Sequence, residues 1–166
     1  MTFETEEAKK KDAALMLNWM HDSDTVRFLK KDFMNKTIED CISFIENETP
    51  RSIDFAIVSD NDEYMGTVSL KNIRNKTAEF GIVIRKAAMG KGYSGFAIEK
   101  ITEYGFKELG LSCIYWYVSA KNSRALKFYD RCKYDRVSVT DVVEKVPFVS
   151  PEILKEETYI WYMIAR

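Results

Sequence analysis

The order of helical and strand signals predicts an α+β fold with a mixed, mostly antiparallel sheet and helices on both faces. Three observations carry that expectation. Helical stretches precede any strand, three alternating segments then follow one another through short polar turns, and only afterwards does one long helix lead into an uncharged strand. A regular alternation of strand and helix would have pointed to a doubly wound parallel sheet instead. At 166 residues, 46% of them hydrophobic, the chain fills one core and is short for two, so residues 1–166 are expected to form a single domain.

The elements follow in order. Residues 6–20 carry Ala13, Ala14, Leu17 and Met20 at helical spacing, and a second short helix is expected over 24–30. Thr37 reads as an N-cap with Glu39 and Asp40 in the first turn, and Ile38, Cys41, Ile42 and Ile45 mark the buried side until Pro50. Helical spacing then gives way to alternation. Residues 52–59 and 64–71 form a hairpin closed by Asp60, Asn61, Asp62 and Glu63. Residues 77–85 place Ala78, Phe80, Ile82 and Ile84 on one face and Glu79, Gly81, Val83 and Arg85 on the other, completing a three-stranded meander.

Residues 93–109 read as an amphipathic helix with Ala97, Ile101, Tyr104 and Gly105 on one side, ended by Gly110 in the left-handed cap position. The run Cys113–Ser119 has no charge, as expected of a strand covered on both faces and parallel to its predecessor. Asn122 or Ser123 caps a short helix through Arg131, and residues 134–143 and 158–164 are expected to close the sheet as a pair of strands. Between them, 144–157 contains Pro147 and Pro151 and is expected to be a loop with at most a short helix.

Composition narrows the function. The 25 basic and 26 acidic side chains are mixed along the chain, so no global field exists to hold a nucleic acid. No stretch approaches the ~18 apolar residues of a membrane span, and the charged start lacks an apolar signal core. A soluble, cytoplasmic protein without a membrane partner is expected. Cys41, Cys113 and Cys132 are odd in number and far apart, and His21 is the single histidine, so neither a disulfide framework nor a metal site is expected. The three thiols are read as structural, and His21 as a surface histidine more readily than a substrate ligand.

The most informative segment is Gly90, Lys91, Gly92, Tyr93, Ser94 and Gly95, at the junction of strand and helix, where free main-chain amides and the helix dipole form an anion site suited to a pyrophosphate. Its G-x-G-x-x-G spelling also fits a dinucleotide fold. That fold requires a carboxylate about twenty residues on, and the strand after this helix carries none. A P-loop is excluded because Gly92 follows Lys91 and Lys86 stands where the first glycine belongs.

Residues 80–134 resemble the acetyl-coenzyme A binding half of the GNAT-type N-acetyltransferases. The family signature of Arg or Gln, two residues, Gly, one residue, then Gly or Ala falls on Ala87-Ala88-Met89-Gly90-Lys91-Gly92, and its later Asn and Ala-x-x-x-Tyr on Asn122 and Ala125-Leu126-Lys127-Phe128-Tyr129. Two departures stand out. Ala87 replaces the usual Arg or Gln, leaving Arg85, Lys86 or Lys91 to supply charge. Lys133 precedes Tyr134 where glycine is usual, which would place a lysine in a left-handed conformation at a cost of roughly 1 kcal/mol.

The resemblance implies an N-acetyltransferase using acetyl-CoA and no metal, acting on a small-molecule or peptide amine, with a homodimer as one arrangement. It implies that the strand ending near Val83, Ile84 and Arg85 splays from its neighbour, freeing main-chain groups for the pantetheine arm and one amide for the developing oxyanion. Tyr129 would protonate or orient the leaving thiolate, or else be a core aromatic like Phe128. Asn122 would contact the cofactor, although N-capping alone accounts for it. Glu79 can take the amine proton and is equally an ordinary sheet carboxylate; Tyr117 stands where some relatives carry Glu. The layout of the N-terminal third resembles relatives that acetylate amino groups on nucleotide sugars or protein N-termini. A rival from another class is a noncatalytic acyl-CoA sensor, suggested by Ala87 and the open question of the base.

Overall fold

The computed structural model describes residues 2–3, 10–47, 49–155 and 158–166. Residues 6–9 of the first expected helix lie outside them. Its remainder is a 3-10 turn, Lys10–Asp12, running into α1 (Ala13–Met20). The second helix is shorter than expected: α2 (Ser23–Val26) starts on Asp22, whose carboxylate accepts from the Asp24 N–H, and ends before Leu29 bonds back to the Val26 carbonyl. α3 (Ile38–Glu46) begins at Thr37 with a complete capping box, the Asp40 N–H donating to the Thr37 hydroxyl and the Thr37 N–H to the Asp40 carboxylate at 2.8 Å.

The meander forms as expected from β2 (Ile53–Val58), β3 (Tyr64–Arg74) and β4 (Thr77–Ile84), all antiparallel. A two-residue strand, β1 (Thr2–Phe3), adds to the edge of β2; two residues are too few to leave a periodic signal. The crossover helix α4 (Tyr93–Lys107) then delivers the chain to β5 (Cys113–Ser119), which runs parallel to β4. Gly110, in the turn between them, has φ +63°. α5 (Ser123–Arg131) follows, capped by Asn122, and Lys133 adopts φ 62°, the left-handed turn its position demands.

The C-terminal third departs from the expected pair of long strands. The first is only β6 (Arg136–Val137), and the chain then turns into α6 (Val139–Lys145). Val139, Thr140, Val142 and Val143 are β-branched and read as strand, but Ser138 and Asp141 close a capping box that starts a helix. That helix and its C-cap bury Val142 and Val146 while Glu144 between them stays exposed, a helical pattern that strand alternation would not produce. The following loop carries one short helix, α7 (Pro151–Leu154), and β7 (Tyr159–Ala165) inserts antiparallel between β5 and β6. The seven-stranded order is β1-β2-β3-β4-β5-β7-β6.

Helices cover both faces, but unequally. Under α4 and α5 lies one continuous core including Val68, Leu70, Phe80, Ile98, Ile101, Ile114 and Trp116. Each such fully buried aliphatic side chain contributes about 1.5–3 kcal/mol. Gly105 lets α4 approach closely, since a Cβ there would stand 3.0 Å from a Leu70 methyl. The other face divides into a cluster under α1 and α3, around Met16, Trp19 and Tyr64, and a second under α6, around Tyr115, Val142 and Trp161. Among the described residues no helix is long and apolar enough to cross a membrane, and no group of His, Cys, Asp and Glu is arranged to hold a metal. Cys41 and Cys113 are buried free thiols, and Cys132 is free and exposed.

Candidate active site

β4 and β5 pair only at Thr77 with Cys113, Ala78 with Ile114 and Glu79 with Tyr115, after which residues 80–84 and 116–119 separate. The two strands form a V whose apex is the Glu79 and Tyr115 pair. The opening faces the start of α4. Phe80 and Trp116 are the first residues beyond the apex on each arm, and the Tyr129 ring contacts both, at centroid distances of 6.4 and 5.2 Å. The Tyr129 side chain therefore bridges the fork on the α4 face. It is 5% exposed, and burial pushes its phenol well above the ordinary range, so it stays protonated at any working pH. Beside it the Trp116 Nε1 is buried without a hydrogen-bond partner among the described residues.

At the mouth of the V, Gly90 and Gly92 have φ of 75° and 86°, a conformation other residues adopt only under strain. Gly92 is the N-cap of α4 and supplies no side chain. The first main-chain bond of the helix runs from the Phe96 N–H to the Gly92 carbonyl at 3.2 Å, so the Tyr93, Ser94 and Gly95 amides have no acceptor among the described residues and are open to solvent or a ligand. A Cβ at Gly95 would meet nothing within 4 Å. These free amides before open space, with a splayed strand pair behind them, fit the pyrophosphate and pantetheine arm of a coenzyme A thioester.

Charge at this mouth is not arranged as expected. The Arg85 guanidinium turns away, donating to Glu63 at 2.8 Å and to the Tyr64 carbonyl at 2.9 Å, so it is not available as a phosphate ligand. Its main-chain N–H is likewise committed, to the Met65 carbonyl at 2.9 Å. Val83 and Ile84 pair with Thr67 and Gly66 of β3 and lie on the stretch of β4 that β5 leaves unpaired. Lys86 approaches Asp24 at 3.7 Å, while Lys91 is exposed. Sequence reasoning missed Arg124, on the first turn of α5, whose Nη1 lies 2.9 Å from the Met89 sulfur and so stands beside the glycine segment. Separated from Met89 by 35 positions, it left no local signal. Asn122 spends its side-chain oxygen on the Ala125 N–H at 3.2 Å. His21 lies on the surface with Nε2 2.8 Å from the Lys36 carbonyl.

Glu79 projects from the opposite face of the apex, since its neighbours Ala78 and Phe80 are in the α4 core. Its side chain is 14% exposed, accepts from the Asn72 amide at 2.7 Å and has the Lys71 ammonium 3.7 Å away. It borders a cavity of about 240 Å³ also lined by Tyr115, Tyr117, Arg51, Arg74 and Phe148. Burial first, and then the negative charge of Glu79, push the Tyr115 and Tyr117 phenols up. A larger cavity of about 630 Å³, lined by Glu99, Lys107, Lys133 and Arg166 among others, touches neither the fork nor the glycine segment.

Comparison with known proteins decides the family. The acetyltransferase (GNAT) domain matches residues 5–135. The chain belongs to this GNAT acetyltransferase family. It is 24% identical over 126 residues to acetyltransferase PseH of Campylobacter jejuni, covering 75% of this chain and 78% of that protein. It is 30% identical over 82 residues to the spermidine N(1)-acetyltransferase of Vibrio cholerae, covering 48% of this chain and 47% of that protein. The crystal structure of spermidine N-acetyltransferase from Vibrio cholerae in complex with CoA and spermine superposes with a TM-score of 0.77 at 19% identity, covering 99% of this chain and 94% of that one. The α+β fold and the mixed sheet are thus those of a GNAT acetyltransferase, and the chain is an enzyme of the acyltransferase class.

Proposed function

We propose that this GNAT acetyltransferase is a single-domain, cytoplasmic enzyme that moves the acetyl group of acetyl-CoA to a primary amine by direct attack, using no metal. The observation that carries this reading is the fork itself. Pairing between β4 and β5 stops at Glu79 and Tyr115, Tyr129 packs across the first unpaired residue of each arm, and Glu79 stands on the other side of the same apex. Two proton-handling groups thus flank one point from opposite faces of the sheet. An acetyl thioester and an amine brought together there would react mainly through proximity.

The amides of Tyr93, Ser94 and Gly95, with Gly90, Lys91 and Gly92 shaping the turn, would hold the pyrophosphate, and Arg124 would add the charge that Ala87 lacks. Residues 83–84 would receive the pantetheine arm along main chain that β5 leaves unpaired. Asn122 would set the start of α5, and with it Tyr129. Bound acetyl-CoA supplies an activated acyl carbon. Glu79 would accept a proton from the incoming ammonium, so that the nitrogen lone pair can form the new C–N bond. As the C–S bond breaks, the Tyr129 hydroxyl would donate its proton to the departing sulfur, and the second proton lost by the acylated nitrogen would restore the phenol. Burial keeps the phenol protonated, so its O–H is in place to donate to the departing sulfur.

Steady-state thiol release in the presence of acetyl-CoA and a panel of amines, with mass analysis of the product, tests the proposal. Acetylated amine and one thiol per turnover are expected. Calorimetric binding of acetyl-CoA without release of thiol to any amine would overturn it.

A further inference from the structure

The cavity bordering Glu79 carries a charge pattern that the proton-transfer chemistry does not use. Arg51 precedes β2 and Arg74 ends β3, and a bond from the Ile73 N–H to the Arg51 carbonyl at 3.0 Å holds the two positions at one edge of the sheet. Both residues line the cavity. Among the described residues neither guanidinium has a carboxylate partner, and Arg74 instead lies over the Phe148 ring at 4.8 Å. Glu79 is the one acidic residue in the lining. The Lys71 ammonium adds a further positive charge beside it.

A chain with several ammonium groups would find one carboxylate here, already facing Lys71, and two unpaired guanidinium groups that repel the rest of the molecule. An amine joined to an anion meets the opposite situation. Its nitrogen can approach Glu79 while its carboxylate or phosphate takes the forked donors of Arg51 and Arg74, whose geometry suits two-point recognition of either group. Tyr115 and Tyr117 wall the same space and can support a ring or a peptide plane between the two ends.

We infer that the acceptor is an amine carrying its own carboxylate or phosphate, held by Arg51 and Arg74 while its nitrogen is presented to Glu79. The inference rests on the acetyltransferase reading of Glu79 above. Acceptors in matched pairs test it: glucosamine 6-phosphate against glucosamine, a glycyl dipeptide against its C-terminal amide, and spermidine as the polycation. The anionic member of at least one pair should show kcat/KM about 10-fold or more above its neutral partner, with spermidine poorest. The pair that responds distinguishes phosphate from carboxylate. Arg51→Gln and Arg74→Gln should each raise KM for that anionic acceptor about 10-fold while leaving KM for acetyl-CoA and turnover of the neutral partner unchanged.

Equal rates within both pairs, preference for spermidine, or arginine variants that leave the ratio intact would overturn the inference without touching the enzyme reading. If no acceptor turns over, the enzyme reading fails first. Calorimetry of glucosamine 6-phosphate and of the glycyl dipeptide against CoA-saturated protein then decides separately: binding lost in Arg51→Gln upholds the anion site, and no binding of either removes it.

Discussion

The two faces of the sheet are built from the same alternating strands, yet one is sealed and the other is divided. Under α4 and α5 a single apolar core runs the width of the sheet, and the surface at its edge, where we propose that the cosubstrate binds, is main chain: free amides, left-handed glycines and the edge of β4 that β5 leaves unpaired. On the other face, the α1 and α3 cluster and the α6 cluster leave the apex of the fork lined by side chains such as Glu79, Tyr117, Arg51 and Arg74. The difference is instructive. On the proposed reading, a cosubstrate gripped by backbone can be shared across many sequences of one fold, whereas an acceptor gripped by side chains is specified separately in each.

The sharpest way to break this comparison is Glu79→Gln. Turnover should fall by ~10²–10⁴-fold while acetyl-CoA binding measured by calorimetry stays unchanged. A loss of less than threefold would show that the divided face holds no base. Tyr129→Phe probes the sealed face. We expect kcat to drop by about 10²-fold with little change in the acetyl-CoA Kd, and an unchanged kcat would reduce Tyr129 to a packing residue.

Stability variants separate the faces further. Val142→Ala removes a fully buried side chain from the α6 cluster and should cost about 2 kcal/mol in denaturant unfolding, with acetyl-CoA affinity preserved. Gly95→Ala should do the reverse. The site has room for the methyl group and the helix gains up to ~1 kcal/mol, but the new Cβ enters the space before the free amides and should weaken acetyl-CoA binding about 10-fold. A variant that is both more stable and binds as tightly would show that the pyrophosphate does not rest there. The smallest effect is expected from Ser138→Ala, about 1 kcal/mol by thermal melting, because it removes the cap of α6 and no packing.

Where one local interaction decides an element, the sequence was readable. The Thr37 box, the meander, the Asn122 cap and the strained Lys133 all appear where short-range chemistry put them, and Gly110 is left-handed as expected although α4 ends two residues early, at Lys107 with Glu108 as its C-cap. Residues 134–143 read as strand from their β-branched composition, but the Ser138 capping box points the other way, and burial of Val142 and Val146 with Glu144 exposed between them fits only the helix. At the site, the glycine segment was legible because its requirement is conformational and contiguous. Arg124, Arg51 and Arg74 were not, because each acquires its meaning from a partner distant in sequence, as Arg124 does from Met89.

Local spacing by itself determined the order of elements, the glycine turn before α4 and the family resemblance, since these depend on contacts within a few residues of the chain. Only the tertiary structure decided that Arg85 turns to Glu63, that Tyr129 bridges the fork, and that Arg51 and Arg74 share a cavity with Glu79. Those outcomes depend on which strands pair and where their pairing stops, and that is fixed by burial summed over the whole sheet.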